Sequence, residues 1–147
     1  MNAIKKLFLL LSLGLFVLCA HAADMSKMPS ATVKVDIAVL GADPNMKGLS
    51  KGVLTVQGKQ YPFTLSGINL VKNAIGAGKL TATGKVYDLS DASKFPGTYM
   101  RLGGDLGLVK EGNGTYKNNN GVMMQLEGLS NAEMLIDPKG SVITFDK

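Results

Sequence analysis

Residues 53–65 read VLTVQGKQYPFTL, and their periodicity decides the fold. Leu54 and Val56 alternate with Thr55 and Gln57, and Tyr61, Phe63 and Leu65 alternate with Gln60 and Thr64. Apolar residues at every second position give a chain one dry face and one wet face, which is a half-buried strand. Gly58-Lys59 divides the two runs as a two-residue hairpin loop, with glycine at the first central position and positive φ, as a type II′ turn requires. Pro62 has no N–H to give a ladder, so the second strand is expected at an edge or with its proline on an unpaired side.

The same period runs outward in both directions. In TVKVDIAVL (32–40), Val33, Val35, Ile37 and Val39 point one way while Thr32, Lys34 and Asp36 point the other. GADPNMKG (41–48) is a turn-rich loop. Leu80, Ala82, Gly84 and Val86 alternate with Thr81, Thr83 and Lys85. Residues 68–75 admit a strand or a one-turn helix. Ser90 is placed to cap a short helical turn in SDASKFPG (90–97). Beyond it, strand-length runs are broken by turn signals at Gly112-Asn113-Gly114, at residues 118–121 and at Pro138-Lys139-Gly140. About nine or ten short strands predict an all-β antiparallel meander. Closing such a sheet removes its exposed edges, so a small β-barrel or barrel-like sandwich is expected, with glycines at bulges and corners.

The N-terminus is of another kind. Lys5 and Lys6 precede twelve residues, 7–18, that are apolar apart from Ser12 and Gly14, and Ala20-His21-Ala22 follows. A charged start, a short apolar run and an A-x-A site read as a secretory signal peptide, cleaved after Ala22 with Ala20 and Ala22 as the recognised small residues. Twelve apolar residues fall short of the roughly 20 that cross a bilayer as a helix. A lipoprotein reading of Cys19 fails because Leu18 precedes it, where a small residue is wanted. The expected divisions are therefore a signal peptide at 1–22, a flexible lead at 23–30 and one barrel-like domain at 31–147.

Cleavage there removes the chain's single cysteine, Cys19, and its single histidine, His21. Zinc, copper and haem sites lose their usual ligands, and no disulfide is available to an exported chain that would otherwise be a candidate for one. Losing Lys5 and Lys6 lowers the formal net charge from +5 to +3. The remaining lysines are scattered and Arg101 is the only arginine, so nucleic acid is not the expected partner. A calcium loop at Asp43-Pro44-Asn45 fails because Lys47 and Leu54 stand where oxygen ligands belong. No serine–lysine pair has a nucleophile's spacing, since Ser90 and Lys94 are four apart. Among the acids Asp88, Asp105, Glu111, Glu127 and Asp137, a converging pair is a minor prospect beside ordinary solvated turns. The glycine clusters at 76–78 and 112–114 lack the following helix that a phosphate loop needs. No cofactor, metal or catalytic residue is expected.

The methionines carry two readings. Met100, Met123, Met124 and Met134 fall in predicted strands, where methionine fills irregular cores or lines adaptable apolar sites. Core filling is the favoured reading. Alternation puts Met124 inward with Val122 and Leu126, and Met123 outward with Gln125 and Glu127.

The order of VYDL (86–89), FPGTY (95–99), Gly103-Gly104 and NGV (120–122) resembles uncharacterised exported β-rich proteins of Gram-negative bacteria. It is distantly similar to the EipA-like envelope-integrity family and to the SYLF lipid-binding domain, over roughly residues 67–145. The resemblance implies a small envelope β-barrel without assigned catalysis and carries over no functional residue; the basic lipid-contacting segments of SYLF domains are absent. The expected function is a non-enzymatic periplasmic or surface-exposed module binding an envelope component, such as a lipid, or a small apolar ligand. The alternative is an exported partner-binding or enzyme-inhibiting protein acting through exposed loops. No transmembrane span is expected in the mature chain.

Overall fold

The computed structural model describes residues 28–39, 49–72, 78–130 and 132–147. The predicted cleavage site at Ala20 and Ala22, with Cys19 and His21, lies outside the described residues, as do the loop at 41–48 and Gly76. Eleven strands follow in chain order: β1 (Ala31–Ala38), β2 (Ser50–Val56), β3 (Lys59–Ser66), β4 (Ile68–Lys72), β5 (Lys79–Tyr87), β6 (Gly97–Leu102), β7 (Gly107–Val109), β8 (Gly114–Asn118), β9 (Met123–Glu127), β10 (Glu133–Ile136) and β11 (Ser141–Phe145). One short 3-10 turn, Ala92–Lys94, interrupts them.

Eight strands close into an antiparallel barrel in the order β1-β2-β3-β11-β6-β8-β9-β5, with β5 returning to β1. The all-β barrel read from the period-two pattern is what forms. Its order departs from a plain meander, because the last strand, β11, inserts between β3 and β6. The other three strands form a small sheet, β4-β10-β7. This accounts for the strand count exceeding nine or ten: the ambiguous stretch from Ile68 is the strand β4, paired with β10 from Ile68↔Ile136 onward.

Chain direction places the small sheet. The last residues of β1, β3, β6 and β9 share one end of the barrel with the first residues of β2, β5, β8 and β11. β4, β7 and β10 connect strands at that end, and their Ile68, Leu70, Val109, Met134 and Ile136 join the barrel's own core cluster. The sheet therefore stoppers that end. At the other end the connector from β5 to β6 inserts Phe95, fully buried, edge-on to Phe63 at 5.2 Å between ring centres and 5.9 Å from Tyr99. Between the stoppers Val35, Ile37, Leu54, Leu65, Tyr116, Met124 and Leu126 are all 0% exposed. An eight-stranded barrel has just enough interior to be filled this way.

Three local expectations are corrected. The register Val56↔Lys59 makes Gln57-Gly58, not Gly58-Lys59, the two-residue loop. Both central residues have positive φ, 49° and 79°, which is a type I′ rather than a type II′ turn. Gly58 does hold the left-handed conformation expected of it. Asp91, not Ser90, caps the 3-10 turn, its carboxylate accepting Ser93 N–H at 2.8 Å. The lead is anchored at its end, since Ser30 N–H donates to Val86 O and the Ser30 hydroxyl accepts Leu89 N–H.

β3 is also no edge strand, being paired with β2 and β11. Pro62 is tolerated because the β3–β11 register stops at Phe63↔Phe145, one residue short of it, and its carbonyl still accepts Asp146 N–H at 3.0 Å.

Candidate functional site

With the interior occupied, the outward residues of the barrel are the surface available for contact. Across β2, β1, β5 and β9 the registers align them in two adjacent rows. Gln60, Thr55, Thr32 and Lys85 stand opposite one another across β3, β2, β1 and β5. One pleat away, Val53, Lys34, Thr83 and Glu127 do the same across β2, β1, β5 and β9. Together these side chains border an open groove of about 480 Å³. Facing strands lie about 4.8 Å apart, so a row of four spans about 14 Å.

The charges around the groove divide into closed and open ones. Asp36 accepts the Thr81 hydroxyl at 2.7 Å and Lys79 Nζ at 3.5 Å. Asp146 accepts the Thr64 hydroxyl at 2.6 Å and pairs with Lys51 Nζ at 3.4 Å, and Lys51 Nζ also donates to Thr64 at 2.7 Å. Each of these carboxyls is held below the usual aspartate range first by its threonine hydrogen bond, with burial opposing and lysine adding to the shift, Lys51 at Asp146 and Lys79 with Lys34 at Asp36. Lys34, Lys85 and Glu127 make no salt bridge among the described residues.

Thr64 beside Asp146 and Lys51 has the outline of a nucleophile with a base, but a general base works best with a pKa near the operating pH, and Asp146 is shifted the other way. The acids singled out from sequence are dispersed in role. Asp137 accepts Lys139 N–H within its own turn, Asp88 ends β5 at φ 59°, and Glu127 borders the groove. Asp105 and Glu111 present their backbone carbonyls to Arg101. Among the described residues no three histidine, cysteine, aspartate or glutamate side chains gather as a metal site, and no helix is long and apolar enough to cross a membrane.

Two features escaped the sequence reading. Arg101 is no free cation: its guanidinium donates to the carbonyls of Asp105 (2.9 Å), Glu111 (3.3 Å) and Asn113 (2.8 Å), tying the β6–β8 connection together. Its being the only arginine, beside Gly103-Gly104, was the available signal. Asn118, 5% exposed, donates to Lys94 O and Phe95 O and accepts from Asn120 N and Val122 N, so one amide holds the stoppering connector to the β8–β9 hairpin.

The four methionines separate by face. Met124 and Met134 are 0% exposed and fill the core. Met123 is half-buried on the outside, opposite Tyr87 and Lys117, and Met100 is 41% exposed opposite the same Lys117. Comparison of the chain with family models, curated proteins and solved structures finds no match.

Proposed function

We propose that the chain is an exported, non-enzymatic binding module that engages a component of the Gram-negative cell envelope with the outside of its barrel. The observation that carries this reading is the barrel's closure: eight strands around a filled interior, stoppered at both ends. A small apolar ligand would need interior space, whereas the outer wall offers an open groove bearing hydroxyls and unmatched charge. The charged start, twelve-residue apolar run and Ala20-His21-Ala22 site support export. Fractionation of a Gram-negative host expressing the full chain tests both parts. The expected product starts at Ala23, resides outside the inner membrane and co-sediments with washed envelope fragments. A chain retaining Met1 in the cytoplasm, or one that ignores the fragments, overturns the reading.

A second reading, a partner-binding or inhibitory protein, is favoured by one observation. Five exposed large aliphatic residues lie at the small-sheet end of the barrel: Val71, Leu102, Leu106, Leu108 and Leu135. Leu108 and Leu135 stand directly opposite each other on β7 and β10. Clusters of this kind mark protein contacts when they form one continuous patch. Leu108→Asp with Leu135→Asp would abolish partner capture under this reading and leave envelope binding untouched under the first.

A further inference from the structure

The rows over β2, β1, β5 and β9 hold two lysines in a particular relation. Lys34 faces Thr83 across β1 and β5, and Lys85 lies two residues further along β5 on the same face. That is the diagonal neighbour position, with backbones about 7–8 Å apart. Two flexible lysine stems at this separation can bring both ammonium groups to one anion. Among the described residues neither is engaged in a salt bridge, although Lys51 and Lys79 on the flanking strand positions both are. Of the acids around them, Asp36 and Asp146 are already held by Thr81 and Thr64 together with the other two lysines, although the Lys34 charge also acts on Asp36. Glu127, diagonal to Lys85 across β5 and β9, borders the groove as its one carboxylate.

What borders the two lysines narrows the ligand. Thr32, Thr55 and Thr83 supply hydroxyls, Gln60 supplies an amide, and Glu127 supplies an acceptor carboxylate at the far side. Hydroxyls and amides both donate and accept, which matches the alcohol groups of a sugar. The groove contains no aromatic side chain on which a nucleic-acid base could stack. Its strands β1, β2 and β5 are each paired on both sides, so no backbone edge is free to recruit a peptide as an added strand. Val33 and Val53 give the groove some apolar wall, but it lies open along its length, so an acyl chain laid in it would stay in contact with water.

We propose that this groove binds an anionic carbohydrate, with Lys34 and Lys85 bracketing its acid group and the threonines, Gln60 and Glu127 taking its hydroxyls. The proposal rests on the envelope-binding reading above and names the chemical class recognised. About 14 Å of lined wall gives room for a short oligosaccharide rather than a single sugar.

The test uses the full chain exported and purified from its host, titrated with a hexuronic-acid tetrasaccharide, with a neutral glucose tetrasaccharide and with inorganic phosphate. The expected result is saturable binding of the acidic tetrasaccharide alone, with NMR shifts centred on Thr32, Lys34, Thr83 and Lys85. Lys34→Gln with Lys85→Gln should weaken it at least about tenfold, a loss of about 1.4 kcal/mol, with an unchanged melting temperature. Equal binding of the neutral sugar, equal binding of phosphate, shifts elsewhere on the barrel, or indifference to the double substitution would each overturn the proposal. Envelope fragments keep the two levels apart. If they bind the native chain and the double variant equally, the groove is wrong and envelope binding stands; if they bind neither, the broader reading fails as well.

Discussion

Two buried tyrosines separate the effect of a satisfied hydroxyl from that of an orphaned one. Tyr99 and Tyr116 are both 0% exposed, yet the Tyr99 hydroxyl donates to Phe95 O while the Tyr116 hydroxyl has no hydrogen-bond partner among the described residues. Tyr99→Phe should therefore destabilise by about 0.5–1.5 kcal/mol, whereas Tyr116→Phe should leave the urea midpoint unchanged or raise it, because the unpaired group is already desolvated. A loss at Tyr116 as large as at Tyr99 would reveal a partner for its hydroxyl. Burial also pushes both phenols above their ordinary 10.0, a shift that Arg101 opposes at Tyr116. Folded-state values above the unfolded one leave stability intact below about pH 10 and erode it as pH rises further. Urea unfolding between about pH 8 and about pH 11 should show that fall, and the double phenylalanine variant should flatten it. The adjacent methionines make a parallel comparison: Met124→Ala should cost about 2–5 kcal/mol through lost burial and a cavity, while Met123→Ala, half in solvent, should change the melting temperature little. Equal large losses from both would refute the one-sided burial.

At the scale of elements, the β2–β3 hairpin shows how closely local chemistry and register are linked. A type I′ turn needs positive φ at both central residues and favours Asn-Gly, yet the chain places Gln57 there at φ 49°. Gln57→Asn should raise the urea midpoint, and Gly58→Val should cost about 1–3 kcal/mol for a branched residue held at φ 79°. A neutral Gly58→Val would mean that the turn reshapes in solution. Gly52, in the middle of β2, answers a different need: a β-carbon there would run into the Phe63 ring on the neighbouring strand. That glycine exists for space inside the barrel, not for conformation. Period two located the barrel-facing residues of β5 and, apart from Ala31, those of β1, because each strand buries one face and wets the other. It missed the turn register by one residue, since Gly58 suits both turn types and only pairing with β3 decides between them. For Pro62 it left two alternatives, an edge strand or an unpaired side, and the second holds because the β11 register ends one residue short of it.

For the whole molecule, the last strand is the one that closes the barrel. β11 pairs with β3 on one side and β6 on the other, although 74 residues separate the end of β3 from its start and 38 the end of β6. Removing 141–147 would expose two strand edges at once and withdraw Ile143 and Phe145 from the core and its rim. The shortened chain should lose cooperative urea unfolding by circular dichroism, with rapid amide exchange in β3 and β6. A single sharp transition would show that seven strands and the small sheet suffice. Closure of this kind joins distant parts of the chain, so folding is expected to be slow, as non-local pairing must offset loop-closure entropy first.

The residues alone determined the strand content, the inward and outward faces, the burial of Met124 against Met123 and, for a chain cut after Ala22 as proposed, the loss of cysteine and histidine chemistry. These follow from local rules: a pleat alternates, and a side chain absent from the chain cannot act. The tertiary structure alone decided that β11 closes the barrel between β3 and β6, that β4, β10 and β7 stopper one end, and that Arg101 and Asn118 are spent on internal carbonyls. It alone set Lys34 and Lys85 on a shared diagonal beside Thr83, residues that are 51 positions apart in the numbering yet neighbours across one strand pair. Periodicity specifies which way a side chain points along its own strand. Which strand lies beside it depends on pairing energies summed over the closed sheet, and no local pattern records that sum.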